Sequence, residues 1–188
     1  MNKQISMEAK LQILSLEDNI QDFELICENL KSSGISMIIT RVDNKRDFLY
    51  SLQNNKYNVI LADFNLPGFD AFGALEICNE ISPDLPFICV SGSIGEETAI
   101  ELIKLGAVDY VLKDRLVRLP VAIKRALDEA KEKEIRRLAE ESLKVKMKEL
   151  QRFHDLTVGR ELAMIELKKE VNELLLKSGQ QEKYKIVG

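Results

Sequence analysis

Several things are scarce in this 188-residue chain, and each scarcity removes a class of function. It has three cysteines, Cys27, Cys78 and Cys89. None has CxxC or metal-ligand spacing, and their neighbours are apolar, which fits reduced cysteines used as small hydrophobes in a cytoplasmic protein. There is one histidine, His154. No run approaches the ~18 apolar residues of a membrane span, and the opening MNKQISMEAK lacks the apolar core of a leader. The expectation is no direct membrane insertion. The net charge is −4, so no basic surface suited to nucleic acid is expected. Glycine is missing from Ala107 to Val158, which after Leu127 suits a solvated helix.

What is present divides unevenly. Hydrophobic residues form 45% of the chain, enough for a real core. Charged residues form 31%, above the ~25% usual for globular domains; an exposed helical extension accounts for the excess. Short apolar runs alternate with amphipathic stretches from residue 11 to 127. The runs are LQILSL (11–16), SMIITRV (36–42), YNVILAD (57–63), LPFICVS (85–91) and AVDYVLK (107–113). Between them, helical spacing carries Phe23, Ile26, Cys27 and Leu30, then Phe48, Leu49 and Leu52, then Phe72, Leu75 and Ile77, then Leu102 and Leu105. Nearly continuous apolar runs suit parallel strands covered on both faces. Five strand–helix alternations predict an α/β, doubly wound parallel sheet. A last helix starts near Leu119–Pro120, where proline is tolerated in the first turn.

In such a sheet, ligands bind at the carboxyl ends of the strands, near the point where strand order reverses. Those ends carry Glu17 and Asp18, Asp63, Ser91 and Lys113. Clustered carboxylates repel one another, and a hard divalent cation such as Mg2+ relieves that repulsion. A lysine and a hydroxyl nearby suit a phosphoryl group, and a carboxylate can attack phosphorus to give an aspartyl phosphate. Such transfer needs positioning and charge neutralisation above all.

Beyond Leu127 the composition changes, and charges of both signs crowd the chain from Lys131 onward. One register persists: Ala139, Leu143, Lys146, Leu150, Phe153, Thr157, Arg160, Met164, Leu167, Val171 and Leu174 alternate spacings of four and three. Eight of these eleven are apolar, the heptad seam of a left-handed coiled coil. The seam weakens at Thr157–Arg160 beside Gly159, where a helix break giving a hairpin is the alternative. The division expected is residues 1–9 as N-terminal tail, 10–130 as the globular domain, 131–178 as helical extension and 179–188 as flexible tail.

From about Leu11 to Ala130 the chain resembles a response-regulator receiver domain of two-component signalling, of the type found with PAS and histidine-kinase sensor proteins. The likeness rests on LEDN, with Glu17 and Asp18; on VILADFNLPGFD, with Asp63; on FICVSG, with Ser91; and on VDYVLKD, with Tyr110 and Lys113. The resemblance implies a flavodoxin-like sheet of order 2-1-3-4-5. It implies that Asp63 accepts a phosphoryl group from a histidine kinase or phosphotransfer protein. Asp18, Asp63 and the backbone carbonyl of Asn65 would ligate Mg2+, with Glu17 in support. Lys113 would pair with Asp63 and then with the phosphoryl group. Ser91 and Tyr110 would act as the switch pair, and Gly92 would open the site to the donor. Many members have Asp where this chain has Glu17, one methylene longer.

Two other readings fit the residues less well. Haloacid-dehalogenase-type phosphatases put Asp-x-Asp after their first strand, but Asp63-Phe64-Asn65 lacks the second acid. A structural dimer with a vestigial receiver conflicts with the full acid, hydroxyl and lysine set. His154 precedes an acid, as phosphoacceptor histidines on helices often do, yet no ATP-binding domain fits in the chain; a surface histidine flanking the seam is expected. The output expected is protein–protein, with homodimerisation through the C-terminal helix and no DNA-binding output domain.

Overall fold

The computed structural model describes residues 10–93, 95–179 and 181–185. The expected N-terminal tail, 1–9, lies outside them, as do 186–188 of the C-terminal one. Two compact units are present, one up to Glu134 and one from Ile135.

In the first unit the strands are β1 (Leu11–Leu16), β2 (Met37–Val42), β3 (Val59–Ala62), β4 (Phe87–Ser91) and β5 (Asp109–Leu112). All pairs are parallel, in the order β2-β1-β3-β4-β5. The helices are α1 (Ile20–Ser32), α2 (Lys45–Asn54), α3 (Ala71–Ile81), α4 (Glu96–Lys104) and α5 (Leu119–Lys177), with a 3-10 segment over Lys113–Arg118. Parallel strands need crossovers, and the apolar runs have amphipathic helices between them to supply these.

Alternate residues of the strands feed two cores, because successive side chains point to opposite faces. Leu14, Leu16, Ile60, Ala62, Phe87 and Cys89 meet Phe48 and Leu52 of α2, Ala74, Leu75 and Cys78 of α3, and Leu102 of α4. Ile13, Val59, Leu61, Ile88, Val90 and Val111 meet Ile26 and Leu30 of α1, and Leu119, Ala122, Ile123 and Ala126 of α5. The sheet is thus covered on both faces, as its apolar strands require.

Burial also sets the chemistry of the cysteines. All three are free. Desolvation pushes the thiols of Cys78 and Cys89 up to about 12, with the Asp63 charge adding to the effect on Cys89. Cys27, half-buried, is raised as well. At pH 8 alkylation of Cys78 and Cys89 should therefore run about a thousandfold below that of an ordinary thiol, because the thiolate is the nucleophile. Peptide mapping after brief iodoacetamide treatment should find Cys27 modified first. Earlier labelling of Cys78 or Cys89 would contradict the packing described.

Beyond Glu134 the second unit holds the remainder of α5. The helix runs without interruption to Lys177, so the hairpin alternative at Gly159 is overturned. One glycine costs a helix about 1 kcal/mol, which the strong helix formers around it outweigh. The Thr157 hydroxyl stays within the helix, donating to the Phe153 carbonyl at 2.9 Å. The helix stops at Gly179, whose φ of +79° is the left-handed conformation that favours glycine.

The chain after Gly179 meets the helix again at Asn172, a contact the sequence did not announce. Asn172 is buried. Its Oδ1 accepts from the backbone N–H of Lys183 and of Tyr184, both at 3.0 Å, and its Nδ2 donates to the Tyr184 carbonyl at 2.8 Å. A side-chain amide has the donors and acceptor to bind a peptide in this way. Asn172→Ala should release the segment, raising amide exchange at 183–184 about tenfold or more. Unchanged exchange in mass spectrometry would mean that the clip contributes nothing.

Candidate phosphoryl site at the strand ends

The order β2-β1-β3 reverses direction at β1, and the crevice beside it is where doubly wound sheets bind ligands. Glu17 and Asp18 follow the last residue of β1, Asp63 follows β3, Ser91 closes β4 and Lys113 follows β5. Backbone bonds fix these ends: Asp63 N–H donates to Leu16 O at 2.8 Å, and Glu17 N–H to Val42 O at 2.9 Å. The loop after Asp63 is anchored by buried Leu66 and Phe69, with Phe69 tilted against Phe48 at 5.8 Å. Gly68, at φ +75°, makes the turn between them. Asp70 then caps α3 through the Gly73 N–H at 2.9 Å.

Lys113 lies at the centre of the charges. Its Nζ is 2.8 Å from Glu17 Oε2, 2.7 Å from Asp22 Oδ2 and 2.8 Å from Asp63 Oδ2. Burial alone would lower its proton affinity, but the hydrogen bonds to Asp22, Asp63 and Glu17 outweigh burial and raise it above 10.5. The stability that this adds is full below the unfolded-state value and is lost as pH climbs through the higher folded-state one. Glu17 is almost fully buried. Desolvation raises its pKa above the usual carboxylate value, against the pull of Lys113. Both its oxygens are engaged, Oε2 by Lys113 and Oε1 by the Asn19 N–H at 3.2 Å.

One oxygen each from Glu17, Asp18 and Asp63 falls within a 4.8 Å group. This hard, all-oxygen donor set fits Mg2+. Asp18 is exposed and Asp63 buried, so the cluster opens outward through Asp18. The Asn65 N–H reaches Asp63 Oδ1 at 3.5 Å. Ser91 is buried, and its hydroxyl donates to the Ser93 carbonyl at 3.0 Å. Tyr110 is half-buried against the core on the α2–α4 face. A Cβ on Gly92 would meet nothing within 4 Å, so the strand end is open there. His154 lies in the second unit, exposed on α5, and takes no part in this cluster.

Two residues of this neighbourhood escaped the sequence reading. Asp22, in the first turn of α1, gives Lys113 its shortest contact; its one signal is an acid three residues after the N-cap Asn19, a place the helix dipole favours in any helix. Arg41, on β2, donates to the backbone carbonyls of Glu17 at 2.8 Å and Asp18 at 3.2 Å. It holds the acidic turn from behind.

The family model for the response regulator receiver domain matches residues 13–124. The chain belongs to that family. Receiver domains are phosphoacceptor signalling domains of two-component systems and interact with histidine kinases or phosphotransfer proteins. An NtrX-like response regulator of Rickettsia typhi is 31% identical over 146 residues, covering 74% of this chain and 28% of the relative. The C4-dicarboxylate transport transcriptional regulatory protein DctD of Pseudomonas aeruginosa is 25% identical over 173 residues, covering 89% of this chain and 35% of the relative. The chain thus spans about a third of the length of these relatives. In fold, it is similar to a CheY-like receiver domain of Methanospirillum hungatei JF-1, with a TM-score of 0.59 and 23% identity over 66% of this chain and 99% of that one. The receiver domain of sensor histidine kinase PA1611 of Pseudomonas aeruginosa PAO1, solved with a magnesium ion coordinated in its active-site cleft, gives 0.55 and 24% over 64% and 99%. The receiver's long helix α5 fits a coiled coil, and no helix among the described residues is long and apolar enough to cross a membrane.

Proposed function

We propose that this receiver takes a phosphoryl group onto Asp63 from a phosphohistidine of a histidine kinase or phosphotransfer protein, in a Mg2+-dependent reaction. The observation that carries the proposal is the meeting of Lys113 with Asp63 and Glu17 at 2.8 Å, inside a crevice whose acids gather to 4.8 Å. An Asp63 oxygen attacks phosphorus, a P–O bond forms, the P–N bond to imidazole breaks, and the imidazole nitrogen keeps the electron pair. Asp18, Asp63 and the Asn65 carbonyl would hold the ion, with Glu17 in support. When bound, Mg2+ neutralises charge that builds on the phosphoryl oxygens.

The protein's own groups do the rest. Lys113 holds Asp63 until transfer and a phosphoryl oxygen afterwards. Ser91 leaves the Ser93 carbonyl to donate to another oxygen, and Tyr110 turns inward. The new charge, about −1.5 to −2 at pH 7, biases the receiver surface. The receiver catalyses only its own phosphorylation and dephosphorylation.

Output runs through protein–protein contacts of the receiver face and α5, with homodimerisation along the seam. Leu150 and Phe153 of that seam are each 70% exposed in the single chain, a stripe that calls for a partner. DctD is named a transcriptional regulatory protein; the output proposed for this chain rests on the exposed seam of α5. Three free cysteines and a phosphohistidine donor suit the cytoplasm. Incubation with acetyl phosphate should add one phosphoryl group by intact mass when Mg2+ is present and none when it is chelated. No gain in Mg2+, even with a purified phosphorylated kinase, would defeat the reading.

A further inference from the structure

We propose that Asp22 is a positioning residue for phosphoryl transfer, acting through Lys113. The proposal rests on the role given to Lys113 above. A lysine ammonium has three N–H donors; here it donates to Asp22 and Asp63 and forms an ion pair with Glu17 at 2.8 Å. These three partners differ in what transfer asks of them. Asp63 turns its oxygen to phosphorus and gives up its hold on the lysine. Glu17 belongs to the group that would bind the ion. Asp22 does neither. It lies outside that group, and nothing in transfer requires it to release its 2.7 Å contact.

The surroundings favour an anchor. Lys113 opens a 3-10 segment that departs from helical geometry at Arg115, so no regular helix braces the four-carbon stem. Its side chain is 14% exposed, against 30% for Asp22, which makes the pair more than a solvated surface contact. Asp22 itself stands on a firm base. It belongs to the first turn of α1, where Asn19 caps the Gln21 and Asp22 N–H groups at 2.9 and 3.5 Å. A charge-assisted hydrogen bond from a rigid helix start fixes where the ammonium is when the phosphoryl group arrives.

The test is a double-mutant cycle on the rate of Asp63 phosphorylation by acetyl phosphate, at Mg2+ saturating for each variant. Asp22→Ala should slow the full chain about tenfold, and Asp22→Asn, which keeps an uncharged acceptor, should fall between it and wild type. In a Lys113→Ala background, Asp22→Ala should change the rate less than about twofold. An equal slowing in both backgrounds would overturn the proposal, since Asp22 would then act without the lysine. A faster Asp22→Ala would overturn it too, because the carboxylate would be repelling the phosphoryl group. Wild-type rates in Lys113→Ala alone would remove the lysine's role, and Asp22's with it, while leaving Asp63 as acceptor.

Discussion

Asp63→Asn is expected to take up no phosphoryl group from acetyl phosphate or from a phosphorylated kinase, a fall of about a thousandfold or more in rate. The amide has no free anionic oxygen to attack phosphorus, and it donates hydrogen bonds where a cation would sit. The fold should survive. Residue 63 would keep an acceptor toward Lys113, and the crevice would lose one of the three acids, Glu17, Asp18 and Asp63, that crowd together, and one of the three, Glu17, Asp22 and Asp63, that share the single ammonium. Thermal unfolding should therefore hold or rise, as it does when a strained functional site is relaxed. Intact mass of both proteins after the same incubation checks the claim. Uptake by the variant at the wild-type level would remove Asp63 from the mechanism.

The second large effect concerns the seam. If the proposed homodimer forms along the seam, Leu167→Asp with Leu174→Asp should reduce it to a single chain. Both leucines are more than half exposed in the isolated helix, at 57% and 59%. Burying a leucine contributes about 1.5–3 kcal/mol, so four of them across a dimer contribute roughly 6–12. Four carboxylates in their stead add desolvation and mutual repulsion. Sedimentation should show the mass halve, and circular dichroism should show helix lost along the extension, because a lone helix draws little stability from propensity. An unchanged mass would count against a coiled coil at these positions.

How far the fold could be read in advance follows from what each residue answers to. The sheet was legible because burial on both faces leaves nearly unbroken apolar runs. VILA and FICVS are buried at every position. Strand ends were less so. The run AVDYVLK extends beyond β5 on both sides: Ala107 N–H is committed to Leu102 O at the end of α4, and Lys113 already belongs to the 3-10 segment. Asp63, Lys113 and Ser91 were legible because each ends an apolar run, where a polar side chain must be explained. Asp22 and Arg41 were not. On a helix start and on a strand whose side chains are only partly buried, a charged residue looks like ordinary solvated surface. Its partner comes from another part of the chain: Asp22 is 91 residues from Lys113, a separation that local pattern cannot bridge. The continuity of α5 past Gly159 is hard to read for a related reason: Thr157, Val158 and Gly159 are weak helix formers together, and only the strong formers on either side, such as Glu161, Leu162 and Ala163, carry the helix through.

The bond between the Ser91 hydroxyl and the Ser93 carbonyl bears on how decisive a signal this receiver can send. On the proposed reading, the hydroxyl exchanges one partner for another instead of gaining a first one. A neutral bond of about 1 kcal/mol is given up for a charge-assisted one of about 1.5–3. The surplus is roughly 0.5–2 kcal/mol, about a two- to thirtyfold tilt between resting and signalling shapes. On its own this exchange falls far short of the about 10⁴-fold needed to carry the equilibrium from 1:99 to 99:1. Such a device works as a dimmer, whose output tracks the fraction of chains charged, and a sharp threshold would have to be built by what it assembles with.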